Sequence, residues 1–143
     1  MRLAISGASG KTGYRIAEEA IKAGHQINLI VRKNSKIPET LESFPRSNIS
    51  LFKTKEVDKS LEKAQALIIA TGARPSVDIS GPARIDALGV KKQIESCKRI
   101  GIKRIILVSS LCSGKLLHPL NLFGLILVWK KCGENFLQNS GID

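Results

Sequence analysis

Aromatic residues are scarce in this chain: four Phe, one Trp and one Tyr make up 4% of its 143 residues. The core must therefore be built from Ile, Leu, Val and Ala, and few rings remain for stacking on nucleic-acid bases. Acids are scarce too, 12 Asp and Glu against 23 Lys and Arg, which leaves a net charge of +11. Such a balance suits an anionic partner, but the cations stand singly or in pairs such as Lys91-Lys92 and Lys103-Arg104. That pattern fits a lysine-rich surface better than a nucleic-acid tail. Cysteine is limited to Cys97, Cys112 and Cys132, an odd, widely spaced set without C-x-x-C. It argues against a disulfide framework or a zinc site and for a reducing compartment. His25 and His118 are isolated, as surface residues rather than ligands would be, and no metal site is expected. The most apolar run, LFGLILVW at 122–129, falls well short of the ~20 helical residues a bilayer requires. A strand begins almost at the first residue, which predicts no signal peptide and a cytoplasmic protein.

What is present is alternation. Short apolar runs at 2–6, 26–32, 49–54, 66–71 and 104–110 read as strands. Between them, 12–23, 57–65 and 83–99 carry helical patterning, and a last helix is predicted over 122–139. The segment 33–48 and the stretch holding Pro75, Gly81 and Pro82 read as loops. Near-continuous apolar strands alternating with helices indicate a parallel sheet buried on both faces. The expected architecture is a single domain over 1–143, a Rossmann-like three-layer α/β fold with strand order 3-2-1-4-5.

The first turn, AISGASGKTGYRIAEEA at 4–20, invites two readings. Gly10-Lys11-Thr12 ends like a triphosphate-binding P-loop, but the Gly that G-x-x-x-x-G-K-[ST] requires would stand where Ile5 is. Gly7-x-x-Gly10-x-x-Gly13 fits a dinucleotide turn between strand and helix instead. Gly7 permits the sharp turn, Gly10 lets a pyrophosphate approach the backbone, and Gly13 lets the helix pack close. Ser9, Lys11 and Thr12 add hydroxyls and a charge at the helix N-terminus, where the dipole favours an anion. At the end of the second strand, where NAD sites carry an acid for the ribose, the chain has Arg32 and Lys33. Two cations there favour a 2′-phosphate, hence NADP(H) over NAD(H).

The stretches ISGASGKTGYRIAEEAIKAGHQINLIVR, ALIIATGA, RIDALGVKKQIESCKRIGIKRIILVSS and WKKCGENFLQNSGID together resemble the atypical short-chain dehydrogenase/reductases. More narrowly, they resemble the NmrA-like and NAD-dependent epimerase/dehydratase-like proteins of cyanobacteria and plastids. The resemblance implies that Ala70, Thr71, Gly72 and Ala73 line the far side of an NADP(H) site. It also implies that Ser109 and Ser110 lie beside the nicotinamide. Lys130, followed by Glu134, matches the lysine of the family's Tyr-x-x-x-Lys, but the tyrosine position holds Ile126. The usual proton-transfer group is thereby missing. Family members also continue past SGID into a strand and a substrate region, so a truncated form is expected.

These readings point to an NADP(H)-binding protein with weak or no dehydrogenase activity, a redox sensor or assembly factor, in the cytoplasm or plastid stroma. The alternatives are an active oxidoreductase or epimerase using a non-tyrosine acid, or water, near Ser109, Ser110 and Ser113, and an RNA-binding or scaffold protein reusing the fold. Strand 104–110 and helix 122–139 are apolar enough to predict self-association or a protein partner.

Overall fold

The computed structural model describes residues 1–73 and 78–142; Pro75 and the terminal Asp143 lie outside them. Strand β1 (Arg2–Ser6) leads into helix α1 (Lys11–Lys22), β2 (Gln26–Val31), β3 (Arg46–Asn48) and α2 (Thr54–Leu61). Strand β4 (Ala66–Ile69) follows, then a π-helical stretch (Ala83–Gly89) that runs straight into α3 (Val90–Ile100). Strand β5 (Ile105–Leu107), a 3-10 segment (Pro119–Phe123) and α4 (Ile126–Gln138) complete the order. The five strands are parallel and ordered β3-β2-β1-β4-β5, as the alternation implied.

Side chains alternate across the pleat and feed two cores. Ala4, Ile30, Leu67, Ile69 and Ile105 face α2 and α3 through Val57, Leu61, Val90, Ile94 and Cys97, and Phe136 of α4 packs on the same cluster. Leu3, Ile5, Ile27, Leu29 and Ile68 face Ala17 and Ala20 of α1 and Leu41 of a short 3-10 helix (Glu39–Leu41) between β2 and β3. Both strand faces are covered, so the central strands carry no polar alternation.

Several boundaries differ from the expectation. The third strand is Arg46–Asn48, not 49–54. It is an edge strand pairing only with β2, which ends at Val31 opposite Asn48, so a polar trio can serve. The apolar residues that follow do other work: Ile49 donates its N–H to the Val31 carbonyl at 2.9 Å and is buried, and Leu51 packs against the core. Helix α2 consequently starts at Thr54 rather than 57 and ends at Leu61 rather than 65. Strand β5 spans Ile105–Leu107 instead of 104–110, although Val108 still bonds Ile69 at 2.9 Å. The last helix begins at Ile126, not 122, because Gly124 and Leu125 both adopt left-handed φ and break the chain's approach to it.

Candidate functional site

The ends of β1, β2 and β4 meet where the strand order reverses, the place where open parallel sheets bind ligands. A groove of about 980 Å³ opens there. It gathers Gly7, Ser9, Gly10, Arg32, Lys33, Ala70, Thr71, Gly72 and Ala73, nine of the residues singled out in the sequence.

The glycines divide their labour. Gly7 has φ +87°, and a β-carbon there would lie 2.7 Å from the Ala70 carbonyl, so it presses the first turn against the end of β4. A β-carbon on Gly13 would strike the Gly7 carbonyl, so that glycine lets α1 sit tight on the turn. Gly10 differs: its β-carbon would meet nothing closer than the Gly7 oxygen at 3.4 Å. The fold itself therefore tolerates a β-carbon at position 10. Lys11 and Thr12 are exposed in the first turn of α1 and do not line the groove. That helix has no side-chain cap and no acid in its first turn, so its N–H groups remain available to an anion.

At the end of β2 the two cations part company. Arg32 is exposed and, among the described residues, has no carboxylate within ion-pair distance. Lys33 lies 3.6 Å from Glu56, which also accepts the Ser50 N–H at 3.0 Å. The Ser50 hydrogen bond is the main reason that the Glu56 carboxyl is held below its usual range, and Lys33 and Lys53 assist.

The far end centres on a residue the sequence reading passed over. Asp86 is 3% exposed; its Oδ1 accepts from Lys130 Nζ at 2.8 Å and its Oδ2 from the Ala73 N–H at 3.0 Å. The only hint was an acid four residues before Val90, on the apolar stripe of a helix. Lys130 therefore pairs with Asp86 and not with Glu134. Glu134 accepts instead from Lys131 Nζ at 2.9 Å and from the Ser109 hydroxyl. Its carboxyl stays below the usual range because the bonds from Ser109 and Lys131 outweigh partial burial, the largest single effect and one that acts in the opposite direction. Thr71, Asp86, Ser109 and Lys130 surround a gap of about 10 Å³, the size of one water; Ser110 does not line it. Ile126 is 4% exposed and fills core space, so no side-chain proton donor stands at the tyrosine position.

The groove fits a dinucleotide. Ser6 and Thr71 line it, and their hydroxyl oxygens are buried without a hydrogen-bond partner among the described residues, a kind of polar group that a bound ligand can satisfy. The family described as NAD(P)H-binding matches residues 7–143. The chain belongs to that family. An uncharacterized chloroplastic protein of Arabidopsis thaliana is 33% identical over 153 residues, covering 97% of this chain and 55% of that one. A photosystem II assembly factor of Synechocystis is 28% identical over 147 residues, covering all of this chain and 42% of its own length. A Bacillus halodurans structure of NAD-dependent epimerase/dehydratase type superposes with TM-score 0.87 at 27% identity, covering 100% of this chain and 67% of that one. The chain thus spans about half the length of these curated relatives. An NAD(P)-binding family member of the atypical short-chain dehydrogenase/reductase type, akin to plastid and cyanobacterial proteins, accounts for fold and groove together. Among the described residues, no helix is long and apolar enough to cross a membrane.

Proposed function

We propose that this NAD(P)-binding domain is selective for NADP(H), has weak or no dehydrogenase activity, and acts as a redox sensor or assembly factor in a plastid-type compartment. The observation that carries the reading is Arg32, exposed on the groove without a carboxylate where an NAD site would carry an acid. In this reading Gly7, Ser9, Gly10 and the α1 N-terminus hold the pyrophosphate, and Lys11 and Thr12 supply outer charge and a hydroxyl. Ala70 to Ala73 line the groove's far side, and Lys130 with Thr71 holds the nicotinamide ribose. The bound cofactor supplies a hydride; the chain's residues orient it, but the buried Ile126 gives no proton. Titration of the purified chain tests this. NADPH should bind several-fold tighter than NADH, since a charge-assisted contact contributes ~1.5–3 kcal/mol. Arg32→Asp should reverse or abolish the preference, and equal affinities in the unmutated chain would end the reading.

A second reading has one observation in its favour. The water-sized gap among Thr71, Ser109 and Lys130 offers a non-tyrosine proton source for an active oxidoreductase or epimerase. Sustained cofactor turnover with a carbonyl acceptor, lost in Ser109→Ala, would favour it. Apolar surface around 104–110 and 122–139 further supports self-association or a protein partner, with Ile106 of β5 51% exposed.

A further inference from the structure

The groove's cationic corner is not assembled from the two adjacent residues that the sequence suggests. Lys33 is drawn to Glu56 at 3.6 Å, where Lys53 also reaches at 3.4 Å. Arg84 enters from 52 positions along the chain, in the π-helical stretch, and lines the same groove as Arg32. Its guanidinium carbon lies 5.5 Å from the centre of the Phe52 ring. Phe52 in turn stands three residues past Ile49, which follows the last β2–β3 pair, Val31 with Asn48, and it lines the same groove as Arg32. The ring is 44% exposed in a chain with few aromatics, and its visible partner is this cation. Asp78, the acid on the same wall, accepts the Ser80 N–H and hydroxyl on Oδ1 at 3.0 and 2.6 Å, and those bonds, with a smaller contribution from the Arg84 charge, hold its carboxyl below the usual range. Among the described residues, no carboxylate lies within ion-pair distance of Arg84.

Arg84 thus brings a guanidinium to the groove wall next to an aromatic ring, and a guanidinium can bind a phosphate by two parallel N–H···O bonds. We propose that Arg84, seated on Phe52, is the second cation for the 2′-phosphate beside Arg32, in place of Lys33. The inference rests on the NADP(H)-selective reading and extends it to a residue and a positioning ring. Arg84 would touch the phosphate; Phe52 would act through Arg84.

The test is calorimetric titration of NADPH and NADH into the full chain and four variants, with circular dichroism to verify folding. Arg84→Ala should weaken NADPH about tenfold and NADH less than about twofold. Phe52→Ala should lose part of the same selectivity, whereas Phe52→Tyr, which keeps the ring, should retain it. Lys33→Ala should change either affinity by less than about twofold. Equal weakening of both cofactors in Arg84→Ala would make Arg84 a stacking or structural residue and overturn the proposal. So would NADPH selectivity that survives Arg84→Ala or disappears in Lys33→Ala. No selectivity in the unmutated chain would remove the underlying reading and this proposal together. If Arg84→Ala fails to fold, the Phe52→Ala and Phe52→Tyr pair decides by the same difference.

Discussion

Gly10 and Gly13 belong to one motif, yet they are glycine for different reasons, and mutation separates them. A β-carbon at position 10 meets only the Gly7 oxygen at 3.4 Å, so Gly10→Val should largely keep the circular dichroism spectrum and, if the pyrophosphate approaches this turn as proposed, lose cofactor binding. Undiminished binding would make the turn merely structural. Gly13→Ala should instead lower the melting temperature, since its methyl collides with the Gly7 carbonyl. Asp86 gives a second case. Its side chain is 1% exposed and that of Lys130 17%, so removing the acid strands a largely buried cation. Asp86→Ala should cost about 3–5 kcal/mol in urea unfolding, and pairing Asp86→Leu with Lys130→Met should recover most of it.

Among the elements, α2 and α3 are joined at the surface by Asp58 and Arg99, with Nη2 to Oδ1 at 2.8 Å and Nε to Oδ2 at 3.2 Å. The guanidinium holds the Asp58 carboxyl below its usual range. A depressed acid contributes stability above its unfolded pKa and loses it as pH falls through the folded value. With side chains 44% and 31% exposed, solvent screening keeps the contribution under about 1 kcal/mol. Asp58→Asn should therefore be slightly less stable than the parent at neutral pH, and urea midpoints of the two should converge in strongly acid solution. The third strand carries the lesson at this scale. ISLFKT has the composition of a strand, but pairing is limited by where β2 ends, so Ile49 and Leu51 turn inward on the way to α2, Phe52 stays on the groove wall and the polar Arg46–Asn48 take the ladder.

The whole molecule covers its two sheet faces unequally. On the α1 side the cluster reaches β4 and stops, which leaves Ile106 of the edge strand β5 51% exposed. Helix α4, expected to be the sticky element, buries Ile126 and Leu127 and rests Phe136 on the core. The exposed apolar residues sit mainly just before it: Leu111 and Leu117 are fully exposed, and Leu122 is 83% exposed. A bare apolar edge next to such a segment favours pairing between chains. Analytical ultracentrifugation should show concentration-dependent association that Ile106→Lys and Leu117→Lys reduce. A stable monomer at all concentrations would overturn this. The cysteines give an independent check on packing: burial pushes the Cys97 thiol up to about 12, so it should resist alkylation in the native state, while the half-buried Cys112 and Cys132 react first.

Local pattern was enough for the strand–helix alternation and the Gly7–Gly13 turn, which rest on periodicity and on steric demands within a few residues, and the strand order followed from the fold class that the alternation implies. The strand end at Arg32 was legible to within a residue, since the pattern gave 26–32 and β2 ends at Val31. Partnership was not legible. That Lys33 goes to Glu56, that Lys130 goes to Asp86 across 44 positions, and that Arg84 comes to lie on Phe52 depend on which elements the sheet order brings side by side. A charge chooses its partner by distance in space and by desolvation, and a linear pattern carries neither. The tertiary structure alone decided which cations remain free to meet a phosphate.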